Sequence, residues 1–350
     1  RLEMAGTREQ HTLRGTLSPL HNELALGNLQ FDASGGWSAA EGAWRWRGRL
    51  DALQANGMLP LRLQAPAELA LSRDAVVLGA THLALGGGEV ELQETRWTPQ
   101  GWHSAGRFSG LGVRAVEIGR ELGALDAVDT LRFGGDWTFT SGAHWQGEAH
   151  VRREQGDWQI GAERGQQLGL RDLTLALRVV QDTLALQLDA SGERLGEFGA
   201  KVELPLTAEG DSWTVASDTP LGGHVALRSE DLSWLGPLLH DNLQLGGRIE
   251  LDADLRGTLR VPRLQGHARG EGLQVALLDQ GVNLEQGSLE VRLEADGVQI
   301  DRLEFKAPYL PPPDDKLLRD FRLPGVAGHL SASGRIALDG GQGDLQVQAA

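Results

Sequence analysis

The chain has 350 residues, no cysteine, and 48 acidic against 33 basic side chains, for a net charge of -15. That balance disfavours nucleic acid and anionic membrane surfaces, since phosphate binding needs a positive field. The missing thiols exclude disulfides, thiolate metal sites and a cysteine nucleophile. With 48 glycines and an aromatic content of only 5%, the apolar surfaces must be built from Leu, Val and Ala, and are expected to be smooth rather than interlocked. No apolar run approaches the length of a membrane-spanning helix. The chain opens on Arg1 in mid-pattern with no signal peptide, so the expectation is a piece cut from a longer protein.

In chain order, residues 1–110 read as a β-rich segment with strands near 24–31, 44–50, 59–63, 68–71 and 75–78, and a turn at Gly86-Gly87-Gly88. The period changes over 111–128, where Val113, Val116, Ile118, Leu122 and Leu125 fit a short helix. Strands resume over 129–228, with Gly135-Asp136-Trp137 and Gly156-Asp157-Trp158 read as turns feeding strands. A second short helix or linker is expected over 229–245, opened by Ser229 as its cap with early acids. The last segment, 246–350, alternates most cleanly and is broken only by a proline-rich loop over 307–324.

The alternation defines the candidate site. Leu173, Leu175 and Leu177, then Leu184, Leu186 and Leu188, then Ile249, Leu251, Ala253 and Leu255, then Leu289, Val291 and Leu293, and finally Ile300 each share a face with their set. Between them stand charged residues such as Arg248, Glu250, Asp252, Asp254 and Arg256. This is the signature of half-buried antiparallel strands.

Catalytic constellations are weak by comparison. The ten histidines are scattered without metal-ligand spacing, and no Walker motif, nucleophile elbow or dinucleotide fingerprint occurs. Asp252 and Asp254 could suggest a glycosidase pair, but alternation places both on a hydrated face, where a charge ladder is expected. No enzymatic activity, cofactor or metal is expected. The ten tryptophans are expected at sheet rims, with contact to lipid headgroups as the alternative.

A closed sandwich accommodates the helical breaks and the proline-rich loop poorly. Hairpins added one after another into an elongated, twisted, curled antiparallel sheet with a few short helices accommodate both, and leave an aliphatic face lining an open groove. Taking a sixteen-carbon lipid tail into water costs roughly 12 kcal/mol at about 0.8 kcal/mol per methylene. A groove walled by the residues above together with Leu264, Leu277 and Phe305 would offset much of that.

Residues 248–259, then Pro262-Arg263-Leu264-Gln265-Gly266, Leu277-Leu278-Asp279-Gln280-Gly281-Val282 and Gly287-Ser288-Leu289 resemble the repeating unit of the TamB family, which belongs with the AsmA-like bridge proteins. The resemblance runs from about Phe108 onward and places the chain on the middle-to-C-terminal side of a parent protein. It implies a β-taco fold and a periplasmic portion of an inner-membrane-anchored protein. It also implies phospholipid as cargo, a TamA-like outer-membrane protein as partner through regions outside this chain, and a role in assembling nascent outer-membrane proteins. Two alternatives are a chaperone-like trough for nascent barrel strands and a secreted β-solenoid adhesin without lipid.

Overall fold

The computed structural model describes residues 1–18, 27–40, 43–57, 60–112, 131–160, 166–209, 212–240, 242–277, 279–308, 328–337 and 344–349. Residues 113–128 of the expected helix and most of the proline-rich loop lie outside the described residues, while Leu111 and Gly112 are strand. Among those described, 23 strands form one antiparallel sheet and two further strand pairs stand apart. The fold class is all-β, as the alternation predicts. Two compact units divide the chain: 1–114, 129–156 and 174–185 form the first, and 115–128, 157–173 and 186–350 the second.

The first unit opens as a meander of β1 (Leu2–Gly6), β2 (His11–Leu17), β3 (Leu29–Ala40) and β4 (Ala43–Ala55). The sheet then forks. One arm runs from the end of β4 through β5 (Leu61–Leu63), β8 (Thr81–Leu85) and β9 (Gly88–Leu92). The other runs from the start of β4 through β6 (Ala67–Ser72), β7 (Val76–Leu78) and β10 (Thr95–Thr98). Both arms rejoin on β11 (Gly101–Gly112), which continues to β12 (Arg132–Thr140) and β13 (Gln146–Gln155).

The core of this unit is Ala33, Trp46, Leu50, Leu63 and Ala67, flanked by Phe31, Trp37, Leu53 and Leu69. Trp46 is completely buried, and the facing pair Gly35 and Gly48 makes room for it. A Cβ at either glycine would sit 2.6 or 2.5 Å from its ring. The indole N–H donates to Nε2 of buried His11 (2.9 Å), whose Nδ1 lies 3.0 Å from the Thr7 carbonyl. Donating at Nδ1 and accepting at Nε2 uses both ring nitrogens of the neutral imidazole.

Gly135-Asp136-Trp137 is not a turn but the middle of β12, held by ladders on both sides. Its glycine serves close approach, since the Phe108 ring lies over Gly135. Gly156-Asp157-Trp158 does form a connection. There the Asp157 carboxylate accepts from the backbone N–H groups of Trp158, Gly169 and Leu170 at 2.7 to 3.0 Å.

The two separate pairs are β14 (Gln159–Ile160) with β15 (Gln166–Gln167), and β19 (Thr207–Glu209) with β20 (Ser212–Thr214). β16 (Leu170–Val180) and β17 (Thr183–Gly192) flank a two-residue turn in which Gln181 and Asp182 both have positive φ, the I′ geometry of tight hairpins.

In the second unit β18 (Gly196–Pro205) pairs with β21 (Gly222–Ser229). A regular meander follows: β22 (Leu243–Gly257), β23 (Pro262–Leu277), β24 (Val282–Glu294), β25 (Gly297–Ala307), β26 (Gly328–Ala337) and β27 (Asp344–Ala349). Irregularities recur on neighbouring strands, after Gly246 on β22, around Leu273 on β23, after Glu285 on β24 and after Ile300 on β25. They use left-handed residues at Gly247, Gly272 and Gln286, and bulges of this kind bend a sheet and sharpen its twist.

Between β21 and β22 the helix proves much shorter than the expected cap implies. Ser229 ends β21 as a fully buried side chain, its hydroxyl 3.1 Å from the Arg194 carbonyl and 3.0 Å from that of Asp231. Among the described residues, regular helix here is confined to α1 (Gly236–Leu239), preceded by Leu235 without a side-chain cap. Asp231 instead caps the turn before it, accepting from the Ser233 N–H and hydroxyl, each at 2.9 Å.

Candidate functional site

Cross-strand pairing aligns the alternating residues of the second unit into rows on one face. Ile249, Gly270, Leu289, Leu303, Ala332 and Val347 make one row. Leu251, Ala268, Val291, Ile300, Gly334 and Leu345 make the next, and Ala253, Gly266, Leu293, Val298 and Ile336 a third. Leu255 faces Leu264 at the near end, while Leu277 pairs with Leu243 and Val282 at the far end. Phe305 pairs with Leu330 and lays its ring over Gly287.

Of the candidate residues, Ala253 and Phe305 are buried, Leu175 and Leu264 are exposed, and the others are half-buried. Among the described residues such a face is shielded by its own neighbours and keeps part of its apolar surface accessible. Leu173, Leu186 and Leu188 belong to the second unit, whereas Leu175, Leu177 and Leu184 belong to the first. There Leu175 and Leu177 face Val151 and Ala149 of β13.

At the bulged end this face has a real core. Leu232, Leu273 and Phe305 are buried together, with Leu245, Ile249, Val275, Leu284, Leu289, Leu303 and Leu330 against them. Alternation brings Ile249, Leu289 and Phe305 into view, but Leu273, Val275 and Leu284 escape it. The left-handed residues Gly272 and Gln286 shift parity, so a strand that points even positions inward on one side of the bulge points odd positions inward on the other. The signal was the Gly-Glu-Gly run at 270–272. Leu232 reaches the cluster from the strap over 230–240, and its N–H donates to the Gly247 carbonyl (3.2 Å) that the bulge leaves out of the ladder. The indole N–H of Trp234 in the same strap is buried without an acceptor.

The opposite face is ionic. Glu197, Arg228, Glu250, Arg269, Glu290 and Arg302 follow one another across successive strands with alternating sign. Arg228 donates to Glu250 at 3.1 Å, Arg292 grips Asp301 at 2.6 and 2.7 Å, and Arg248 pairs with Glu271. Hydrogen bonds from Arg292 and Arg302 hold the Asp301 and Glu304 carboxyls below the usual range. His224 bridges Asp252 and Asp254 at 3.4 and 3.3 Å, and its hydrogen bond lowers Asp254 likewise. The Asp252–Asp254 pair is thus an exposed element of this ladder.

Among the described residues no group of His, Asp or Glu side chains is arranged to hold a metal ion. No described helix is long and apolar enough to cross a membrane. What the arrangement supplies chemically is a continuous aliphatic surface on one side and self-neutralised charge on the other.

No curated protein and no solved structure matches the chain. The family model for the TamB N-terminal domain matches residues 124–269. It covers residues 247–269 of the segment that carries the resemblance but not 277–289, and as an N-terminal model it gives no support to a middle-to-C-terminal-side placement. Over this segment, less than half of the chain, the sequence is similar to the TamB N-terminal domain.

Proposed function

We propose that this chain is a segment of a TamB-like bridge in the periplasm, whose aliphatic sheet face carries phospholipid acyl chains between the inner and outer membranes. On this reading it also supports outer-membrane protein assembly with a TamA-like partner, through regions of the parent protein beyond this chain. The supporting observation is the accessibility of the rows in the second unit: Leu, Val and Ile side chains aligned across successive strands yet only half-buried. A face of this kind desolvates methylenes at about 25 cal/mol per Å² wherever they lie. Because its lining is uniform, no single position is a deep trap, and an acyl chain can slide along it. The antiparallel ladders disfavour the solenoid alternative, which coils in parallel turns.

The test is mass spectrometry of lipids co-purifying with the chain after detergent-free preparation, alongside Leu255→Arg. Leu255 is half-buried and opposite Leu264, so the substitution charges the face while the strand keeps its ladder. Phospholipid present in the wild type and lost in the variant is the expected result. A lipid-free wild type, or full occupancy in the variant, overturns the reading. Displacement by an amphipathic outer-membrane-protein strand peptide would instead favour the chaperone trough.

A further inference from the structure

Five of the seven tryptophans of the first unit gather near one end of β3, β4, β10 and β11. Register aligns Trp37, Trp46, Leu71, Val76, Trp97 and Trp102 in a single row across β3, β4, β6, β7, β10 and β11. At the usual strand spacing the row is about 24 Å long. It sits at one end of these strands, beside the turns of the β3–β4, β6–β7 and β10–β11 hairpins. Trp44, two residues beyond Trp46 on the same face, meets Trp37 edge-on with ring centroids 5.1 Å apart.

Packing explains only part of this row. Trp46 is wholly buried, but Trp44 is 45% and Trp97 55% exposed, and Val76 between them is 37% exposed. Such indoles gain little from the core of the unit. Charges of both signs stand at this end: Arg73 lies beside Asp74, Arg96 pairs with Glu94 at 3.0 Å, and exposed Arg45 and Arg47 lie on either side of Trp46. Amphipathic rings beside a turn-rich edge suit the region between phospholipid headgroups and acyl chains, where tryptophan concentrates.

We infer that this tryptophan-bearing end of the first unit docks on the surface of a zwitterionic phospholipid bilayer, with Trp44 and Trp97 entering the interfacial layer. A contact carried by indoles on a zwitterionic surface is insensitive to salt, unlike attraction to anionic lipid, which is screened within a Debye length. The inference goes beyond acyl-chain carriage, because it concerns an edge of the first unit rather than the aliphatic rows of the second.

The test is flotation of the chain with phosphatidylcholine vesicles at low and high salt, with quenching of its fluorescence by lipid brominated near the headgroup. Wild type is expected to float at both salts and to be quenched. Trp44→Ser with Trp97→Ser is expected to weaken binding about ten-fold or more, while Trp44→Tyr with Trp97→Tyr retains it, since tyrosine shares the interfacial preference. Leu2→Ser with Leu17→Ser removes side chains that are 67% and 56% exposed elsewhere in the unit, and should leave binding unchanged. Circular dichroism checks that each variant is folded. No flotation by the wild type, equal flotation by the serine variant, or equal loss in the Leu2 and Leu17 control overturns the inference. Leu255→Arg separates the two readings: it empties bound lipid if the aliphatic face is the carrier, and leaves flotation as in the wild type if docking resides in the tryptophan row.

Discussion

Phe305 and Gly287 offer a close test of how the second unit is held together. Phe305 is 5% exposed, and its ring covers the bare backbone of Gly287 on the neighbouring strand. Phe305→Ala should cost about 3–5 kcal/mol, the usual range for emptying a buried aromatic site. Gly287→Ala should cost about 1–3 kcal/mol by overpacking, because its new methyl would lie 2.2 Å from one ring carbon, 2.6 Å from another and 2.9 Å from the Leu273 Cβ. Gly287 is not in the left-handed region, so the cost is steric rather than conformational.

The double variant is the informative one. With the ring gone, the methyl introduced by Gly287→Ala moves into the space it vacated, and only the Leu273 contact remains tight. The combined loss should therefore fall short of the sum by about 1–2 kcal/mol, a coupling typical of residues in contact. Urea midpoints from circular dichroism, with fluorescence as a second probe, measure all corners of the cycle. Additivity within about 0.5 kcal/mol would show that the ring does not rest on Gly287, and would undo the reasoning.

Trp46→Phe removes the donor to His11 Nε2 and strands a buried acceptor, so the first unit should lose about 1–3 kcal/mol; an unchanged melting temperature would refute this. Leu232→Ala should loosen the strap over 230–240, seen as faster limited proteolysis there, with β content retained; protease resistance equal to the wild type would show that Leu232 does not hold it. Asp301, Glu304 and Asp254 are held below the usual carboxylate range by Arg292, Arg302 and His224 respectively. Since the folded values are depressed, their stabilisation is complete above the ordinary carboxylate pKa near 4. It fades as pH falls through the lower folded values. Carboxyl titration by NMR should find their midpoints below those of unpaired acids, and ordinary midpoints would contradict the pairing.

Much of the fold is legible because alternation in a half-buried strand is dictated by water on one side. The run from Gly247 to Gly257 lies within β22 with Ile249, Leu251, Ala253 and Leu255 on one face, and the turn at Gly86-Gly87-Gly88 joins β8 to β9. Legibility fails where a residue's role is set by a distant strand. Gly135 reads as a turn glycine, yet it is there to admit Phe108. Ser229 reads as a helix cap, yet its hydroxyl is committed to the carbonyl of Arg194, far off in sequence. Of the candidate site the rows are visible and the bulged core is not, because one left-handed residue at Gly272 or Gln286 reverses which parity points inward. The tryptophan row is hidden for a related reason: Trp37, Trp46, Trp97 and Trp102 become neighbours only once register is known.

A uniform aliphatic face raises the question of what fixes that register. Leu, Val and Ala rows look alike after a two-residue slip, which keeps every side chain on its own face. The ionic face breaks the degeneracy. In the native register Glu250 faces Arg269, and Arg269 faces Glu290. Sliding β22 by two residues against β23 sets Glu250 against Glu271 in one direction and Arg248 against Arg269 in the other. Between β23 and β24 a slip in one direction opposes Glu271 with Glu290 and Arg269 with Arg292 together, while a slip in the other exchanges the Arg269–Glu290 pair for Arg269 against Ser288. Each native pair is worth only about 0.2–1 kcal/mol and each like pair costs a similar amount, but every strand crossed adds another. The bulges at Gly247, Gly272 and Gln286 add a steric lock, since they must stay in step on adjacent strands. Register is thus set by the hydrated face and by the backbone, which leaves the apolar face free to be smooth. Smoothness is the property that carrying acyl chains requires.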